Sequence, residues 1–243
     1  MQFIYGVNPL LELTKRGDPG IREIVVSNGR KGPVIDQILS LASIKGIPVV
    51  FKDKSFLDRE SGGGSHQGIG ALCADYVYVN LDELIEKKTP ANLILMLDGI
   101  TDPQNLGALI RTAHCLGVKG VVIPENRAVS ITPSVIKASA GAAYWLAVAR
   151  EVNLTRTIEY LKERGFWVYG ADADNGADLD QFADPGPVCL VMGSEGCGLR
   201  PLIKKNCDLL LSIPMAGKLD SLNVSVAAGI ILYEMAKKQG RRK

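Results

Sequence analysis

Residues 188–201 read Val188-Cys189-Leu190-Val191-Met192-Gly193-Ser194-Glu195-Gly196-Cys197-Gly198-Leu199-Arg200-Pro201, and this stretch decides the fold. A continuous apolar run breaks into a glycine-rich turn, and a helix-compatible segment follows at once. Continuous rather than alternating apolar runs belong to strands covered on both faces, as in a parallel sheet between helices. Similar runs occupy Leu93–Leu97, Gly120–Ile123, Phe166–Tyr169 and Leu209–Ile213. Between them, helical patterns cover Pro103–Leu116, Pro133–Ala140, Leu154–Arg164, Arg200–Asn206 and Asn223–Lys238. The alternation gives an α/β class, with no repeat of 20 to 50 residues.

Residues 1–75 carry shorter alternating elements: a helix over Pro9–Arg16, a strand in Glu23–Val26, a helix over Val34–Lys45, and strands at Pro48–Phe51 and Ile69–Ala74. Gly62-Gly63-Gly64 marks a loop, because a glycine run is too flexible for an element interior. Tyr76–Val79 reads as a strand or extended linker, Leu81–Lys88 as a charged helix, and Pro90 as a break. The expected division is therefore a domain over 1–75, a linker over 76–90 and a second domain over 91–243.

Composition narrows the function less. The chain has 243 residues, 47% of them hydrophobic, which is ample for a folded core. The formal net charge of +2 is spread evenly, so charge neither demands nor excludes a nucleic-acid partner, and only Arg241-Arg242-Lys243 forms a basic tail. Five cysteines without a C-x-x-C pair disfavour a disulfide framework and a zinc site and fit a reducing cytoplasm. His66 and His114 share no metal-ligand spacing with each other or with a cysteine, so neither is given a catalytic role, although His66 remains open to contact with a partner. No secretory leader and no membrane-spanning run are visible, and a cytoplasmic protein without metal or membrane association is expected.

Three polar segments lie at the ends of apolar runs, where an open α/β sheet places its ligand. In the first, Asp102 has the character of a helix N-cap and Pro103 of a first helical residue, while Gly117 follows the C-terminus. Leu106, Leu109, Ile110, Ala113 and Leu116 form one stripe, which puts Arg111 on the polar face. Asn105 is about 120° around from Arg111 and shares a site with it only at the helix mouth. In the second segment the order G-x-x-G-x-G departs from the dinucleotide fingerprint G-x-G-x-x-G. A ligand loop and a structural turn fit it equally, and Glu195 between glycines favours the ligand loop. The third runs from Pro214 to Asn223, long for a connection between strand and helix, with Ser221 either an N-cap or a site residue.

These segments, LDGITDPQNLGALIRTA at 97–113, VMGSEGCGLRP at 191–201 and IPMAGKLDSLNVSVAAGI at 213–230, together resemble the three motifs of the SPOUT-class ribose 2′-O-methyltransferases of the SpoU/TrmH group. The N-terminal part, with IYGVNPLLEL and His66-Gln67-Gly68-Ile69, is similar to the small L30e-like substrate-binding domain of that group. The resemblance implies a parallel-sheet domain with a deep trefoil knot, an L30e-like RNA-binding domain and a homodimer. It implies S-adenosyl-L-methionine as methyl donor, held by Gly193, Ser194, Gly196, Ile213, Met215, Leu222 and Asn223. It further implies RNA as acceptor, with Arg111, Asn105, Glu195, Ser221 and Asn223 around the reacting ribose. Length and arrangement are nearest to members that methylate a guanosine of 23S rRNA, with tRNA and antibiotic-resistance members as alternatives. A non-catalytic RNA-binding protein is the alternative of another class. A dinucleotide-dependent oxidoreductase is disfavoured by the glycine order.

Overall fold

The computed structural model describes residues 1–17, 20–89, 92–173, 176–182, 186–218 and 221–239. Pro90 and the basic tail lie outside them, as do Leu219 and Asp220 of the third segment. The chain forms two compact units, one of Met1–Val77 with Ile131–Trp145 and one of Tyr78–Ser130 with Leu146–Lys243.

The first unit contains β1 (Gln2–Tyr5), α1 (Val7–Arg16), β2 (Ile21–Ser27), α2 (Pro33–Ile44), β3 (Val49–Lys52), α3 (Lys54–Glu60) and β4 (Ile69–Cys73). Its sheet order is β1-β4-β2-β3, with β4 antiparallel to both neighbours and β2 parallel to β3. Helix α1 stops at Gly17, whose φ of 73° lets its N–H reach back to the Leu13 carbonyl, a conformation that suits glycine. Neither β1 nor α3 was expected: at four and seven residues, each is too short to show a period.

The second unit contains α4 (Leu81–Glu86), β5 (Leu93–Asp98), α5 (Pro103–Cys115) and β6 (Gly120–Pro124). The chain then contributes α6 (Pro133–Ala138) and a 3₁₀ turn at Ala142–Tyr144 to the first unit. It returns as β7 (Ala147–Glu151), α7 (Leu154–Glu163), β8 (Trp167–Ala171), β9 (Ala177–Asp178), β10 (Val188–Gly193), α8 (Pro201–Asn206), β11 (Leu209–Ser212) and α9 (Val224–Lys238). Among the described residues the sheet is seven-stranded and parallel throughout, ordered β7-β6-β5-β10-β8-β11-β9. Tyr76–Val79, expected as a strand or extended linker, is extended chain with one bridge, Val79 beside Ala149.

Side-chain alternation builds the layers. Ile94, Met96, Val122, Ala149, Val168, Cys189 and Val191 pack with Leu84 of α4, Leu154, Ile158 and Leu161 of α7, and Ile203 of α8. The intervening residues, Leu95, Leu97, Val121 and Leu190, are also buried and face the opposite side, where α5 and α9 run against each other. Burial on both faces explains the continuous apolar runs. From β5 the chain steps through β6 to β7, then resumes at β8 on the far side of β5. The sheet order reverses beside β5, and β10 fills the gap. Such a reversal leaves a crevice at the carboxyl ends of the strands.

Candidate functional site

At the carboxyl ends of β8, β10 and β11 lies a cavity of about 640 Å³. Three segments wall it: Ala171–Ala173 after β8, Met192–Leu199 at the end of β10, and Leu211–Ile213, Met215 and Ser221–Val224 between β11 and α9. Ala227 and Ile231 of α9 and Lys204 of α8 complete the wall. Its volume lies in the range of small-molecule and cofactor sites.

Backbone geometry shapes the β10 loop. A Cβ on residue 193 would overlap the Gly198 carbonyl and the Leu199 amide, so only glycine lets the loop fold back on the strand. Ser194 and Gly198 then exchange backbone hydrogen bonds of 3.2 and 2.9 Å. Gly196 at the tip has φ 78° and open space around it. A cradle of main chain with room for an adjacent ligand results, and its residues fit a nucleoside-bearing cofactor.

At the loop tip the side chains form a bonded set. Asn223 Nδ2 donates to Glu195 Oε1 at 2.5 Å and to Asn105 Oδ1 at 3.1 Å. Val224 N approaches the same Glu195 oxygen at 3.5 Å. Two helix mouths meet here because both helices are capped beside it. Asp102 accepts from Gln104 N and Asn105 N at the start of α5, and Asn223 Oδ1 accepts from Ser225 N and Oγ at the start of α9. The N-cap of α9 is thus Asn223, while Ser221 stands exposed on the cavity wall.

Gly193, Ser194, Gly196, Ile213, Met215, Leu222 and Asn223 all line the cavity, as do Glu195 and Ser221. Asn105 joins them through Asn223. Arg111 does not: it is exposed on α5, outside the cavity wall, about 9 Å along the helix axis from Asn105 at 1.5 Å per residue. His114 is exposed. His66 is buried and turned inward, with Nε2 2.9 Å from Asp58 Oδ1 and Nδ1 accepting from Gly68 N at 3.0 Å.

Sequence reasoning missed an ion pair behind the loop. Asp98, at the end of β5, has a fully buried side chain. It accepts from Arg200 N at 3.0 Å through Oδ2 and from Arg200 Nε at 2.6 Å through Oδ1, and Arg200 Nη2 lies 2.6 Å from the same Oδ1 as an ion pair. The signal available was a carboxylate ending an otherwise apolar strand. Asp172 and Lys204 form a second ion pair in the cavity wall. Burial raises the pKa of the Cys189 thiol and pushes that of Cys207 to about 11, so neither is a thiolate nucleophile at neutral pH. Among the described residues no group of three or more His, Cys, Asp or Glu side chains is arranged to hold a metal ion, and no helix is long and apolar enough to cross a membrane.

Residues 92–233 match the model of the SpoU rRNA Methylase family, and residues 3–79 that of RNA 2′-O ribose methyltransferase substrate binding. YacO of Bacillus subtilis (strain 168), whose name describes it as a putative TrmH family tRNA/rRNA methyltransferase, is 42% identical over 240 residues, covering 98% of this chain and 96% of YacO. A protein of Staphylococcus aureus (strain MSSA476) with the same family description is 40% identical over 239 residues, covering 97% and 96% of the two chains. The SpoU methyltransferase AviRb from Streptomyces viridochromogenes, solved with AdoMet, shares the fold with TM-score 0.79 at 23% identity, over 97% of this chain and 89% of AviRb. The chain belongs to the SpoU rRNA methylase family, enzymes whose methyl donor is S-adenosylmethionine.

Proposed function

We propose that the protein methylates a ribose 2′-hydroxyl of RNA, most specifically a guanosine of 23S rRNA in the manner of RlmB, with the glycine-walled cavity as donor site. The observation that carries this reading is the Asn105–Asn223–Glu195 set, which places polar groups from all three motif segments at one rim of that cavity. S-adenosylmethionine supplies a methyl group activated by its sulfonium. The chain's own residues must then hold a weak nucleophile in line with that methyl, about 3–3.5 Å away, and give its proton a path out.

In this reading the backbone of Gly193, Ser194, Gly196, Ile213, Met215 and Leu222 holds the donor. Asn105, Glu195, Ser221 and Asn223 orient the ribose. Arg111 binds ribose and phosphate and stabilises the negative charge that develops on the 2′-oxygen. A guanidinium carries donors only, so the hydroxyl proton leaves to solvent rather than to Arg111.

We also infer a cytoplasmic homodimer with a knotted C-terminal region. Val226, Ile230 and Tyr233 form an exposed stripe on α9 that a second copy would cover, and α9 runs beside the helix that carries Arg111. Arg111 lies away from the cavity of its own chain, and a dimer would let it serve its partner's. Residues 1–75 would select the RNA and residues 91–243 carry out transfer, with 76–90 between them.

The test is incubation with tritiated S-adenosylmethionine and unmodified 23S rRNA or bulk tRNA, followed by mapping with 2′-O-methyl-sensitive primer extension. Label at a 23S guanosine is expected. Label on tRNA would move the acceptor, and label on a base rather than a ribose would overturn the reading.

A further inference from the structure

We propose that Asp98 and Arg200 are a positioning pair that sets the shape of the donor cavity without touching donor or acceptor. The inference rests on the cavity being the donor site.

Asp98 ends a strand whose preceding residues, Leu93 to Leu97, are all buried and apolar. Placing a carboxylate there carries a desolvation cost that an apolar side chain would avoid, so stability alone does not explain it. Both described hydrogen bonds to the Asp98 carboxylate, and its ion pair, come from one residue, Arg200. One of the hydrogen bonds is from the backbone N–H, which ties the carboxylate to the main chain as well as to the side chain.

Arg200 is where the β10 loop ends and α8 begins. The entry of the same loop is also fixed at Asp98, because Gly193 pairs with it in the parallel register. Asp98 therefore holds both feet of the loop, Gly193 by strand pairing and Arg200 by its carboxylate. Between those feet, Ser194 to Leu199 form the cavity wall. The tip is held separately, by Asn223 on Glu195. Three fixed points leave the loop little freedom to change the cavity.

The pair is asymmetric. The Asp98 side chain is cut off from solvent, whereas that of Arg200 is 52% exposed. In Asp98→Asn the single amide oxygen can meet the Arg200 N–H or its guanidinium but not both, and the amide NH2 is set against a donor at the other. Without the guanidinium, the Arg200 N–H still reaches Asp98 Oδ2. The order of damage should follow: Asp98→Asn worst, Arg200→Ala intermediate, Arg200→Lys mildest, since an ammonium restores the charge but not the fork.

The experiment measures S-adenosylmethionine affinity by calorimetry, separate KM values for donor and RNA, and Tm, on the full-length protein and these three variants. Asp98→Asn should raise the donor Kd and KM about tenfold, the order expected for losing a charge-assisted hydrogen bond that shapes a site, with RNA KM unchanged. Arg200→Lys should recover most of what Arg200→Ala loses. Unchanged donor affinity in Asp98→Asn, or donor and RNA constants that worsen together in proportion to Tm, would overturn the proposal. If Asp98→Asn does not fold, equal donor affinity in Arg200→Ala and Arg200→Lys would overturn it. If the wild-type protein binds no donor, the reading of the cavity falls first and the proposal with it.

Discussion

At the scale of a single residue, the role proposed for Arg111 would separate folding from chemistry. It is exposed on the polar face of α5, so Arg111→Ala should move stability by no more than about 0.5 kcal/mol. Under the proposed function, in which Arg111 binds the acceptor, its loss should lower methyl transfer by about 10²–10³-fold, the range for removing one preorganised donor from a reaction centre. Thermal unfolding and tritium transfer measured on one preparation check both numbers, and a large fall in Tm would assign Arg111 to structure. The face that Arg111 occupies was legible in sequence because the apolar stripe opposite it is regular. Asp98 was not legible, since its burial depends on β10 pairing with β5, and a strand partner so far along the chain leaves no local trace. The inward turn of His66 escaped for a similar reason: its partner Asp58 lies on α3, a helix too short to announce itself.

Elements place the site through their termini. Helices α5 and α9 start side by side, and the residue that caps α9 also bridges Asn105 and Glu195. Capping and bridging use different atoms of Asn223, the Oδ1 acceptor and the Nδ2 donor, so a substitution can separate them. Asn223→Asp keeps the acceptor and ranks equally as a cap, so α9 should remain formed by circular dichroism. It removes the donor and sets a carboxylate against Glu195, which should cut methyl transfer about tenfold or more. Undiminished transfer would show that the bridge has no part in the reaction. The strands of the parallel sheet were readable because burial on both faces writes a continuous apolar run. β7 and β9 were not, since Ala147–Glu151 mixes small and charged residues and is defined by its pairing with β6, and Ala177–Asp178 is only two residues long.

For the whole molecule, the division into two units does not follow a single cut in sequence. Residues 131–145 leave the parallel-sheet unit and pack with the first. Val135, Ile136, Ala142, Ala143 and Tyr144 are buried there, and α6 lies against β1. Lys137 Nζ donates to Gln67 Oε1 at 2.7 Å, the oxygen that also accepts from Val7 N at 3.1 Å, and Trp145 Nε1 donates to Glu12 at 3.0 Å. A boundary read from composition and a proline cannot show such a return, because the segment's own pattern is an ordinary helix. Deleting residues 1–77 should therefore uncover apolar side chains, each worth about 1.5–3 kcal/mol when fully buried. The remainder should bind 8-anilinonaphthalene-1-sulfonate and melt below the intact protein, and a truncated chain equal to it in Tm would refute this. The chain passes between the units after residues 77, 130 and 145, so they are stitched at three points rather than strung on one linker. A protease that cuts only near residue 77 would leave two polypeptides that still travel together through gel filtration and part only in denaturant.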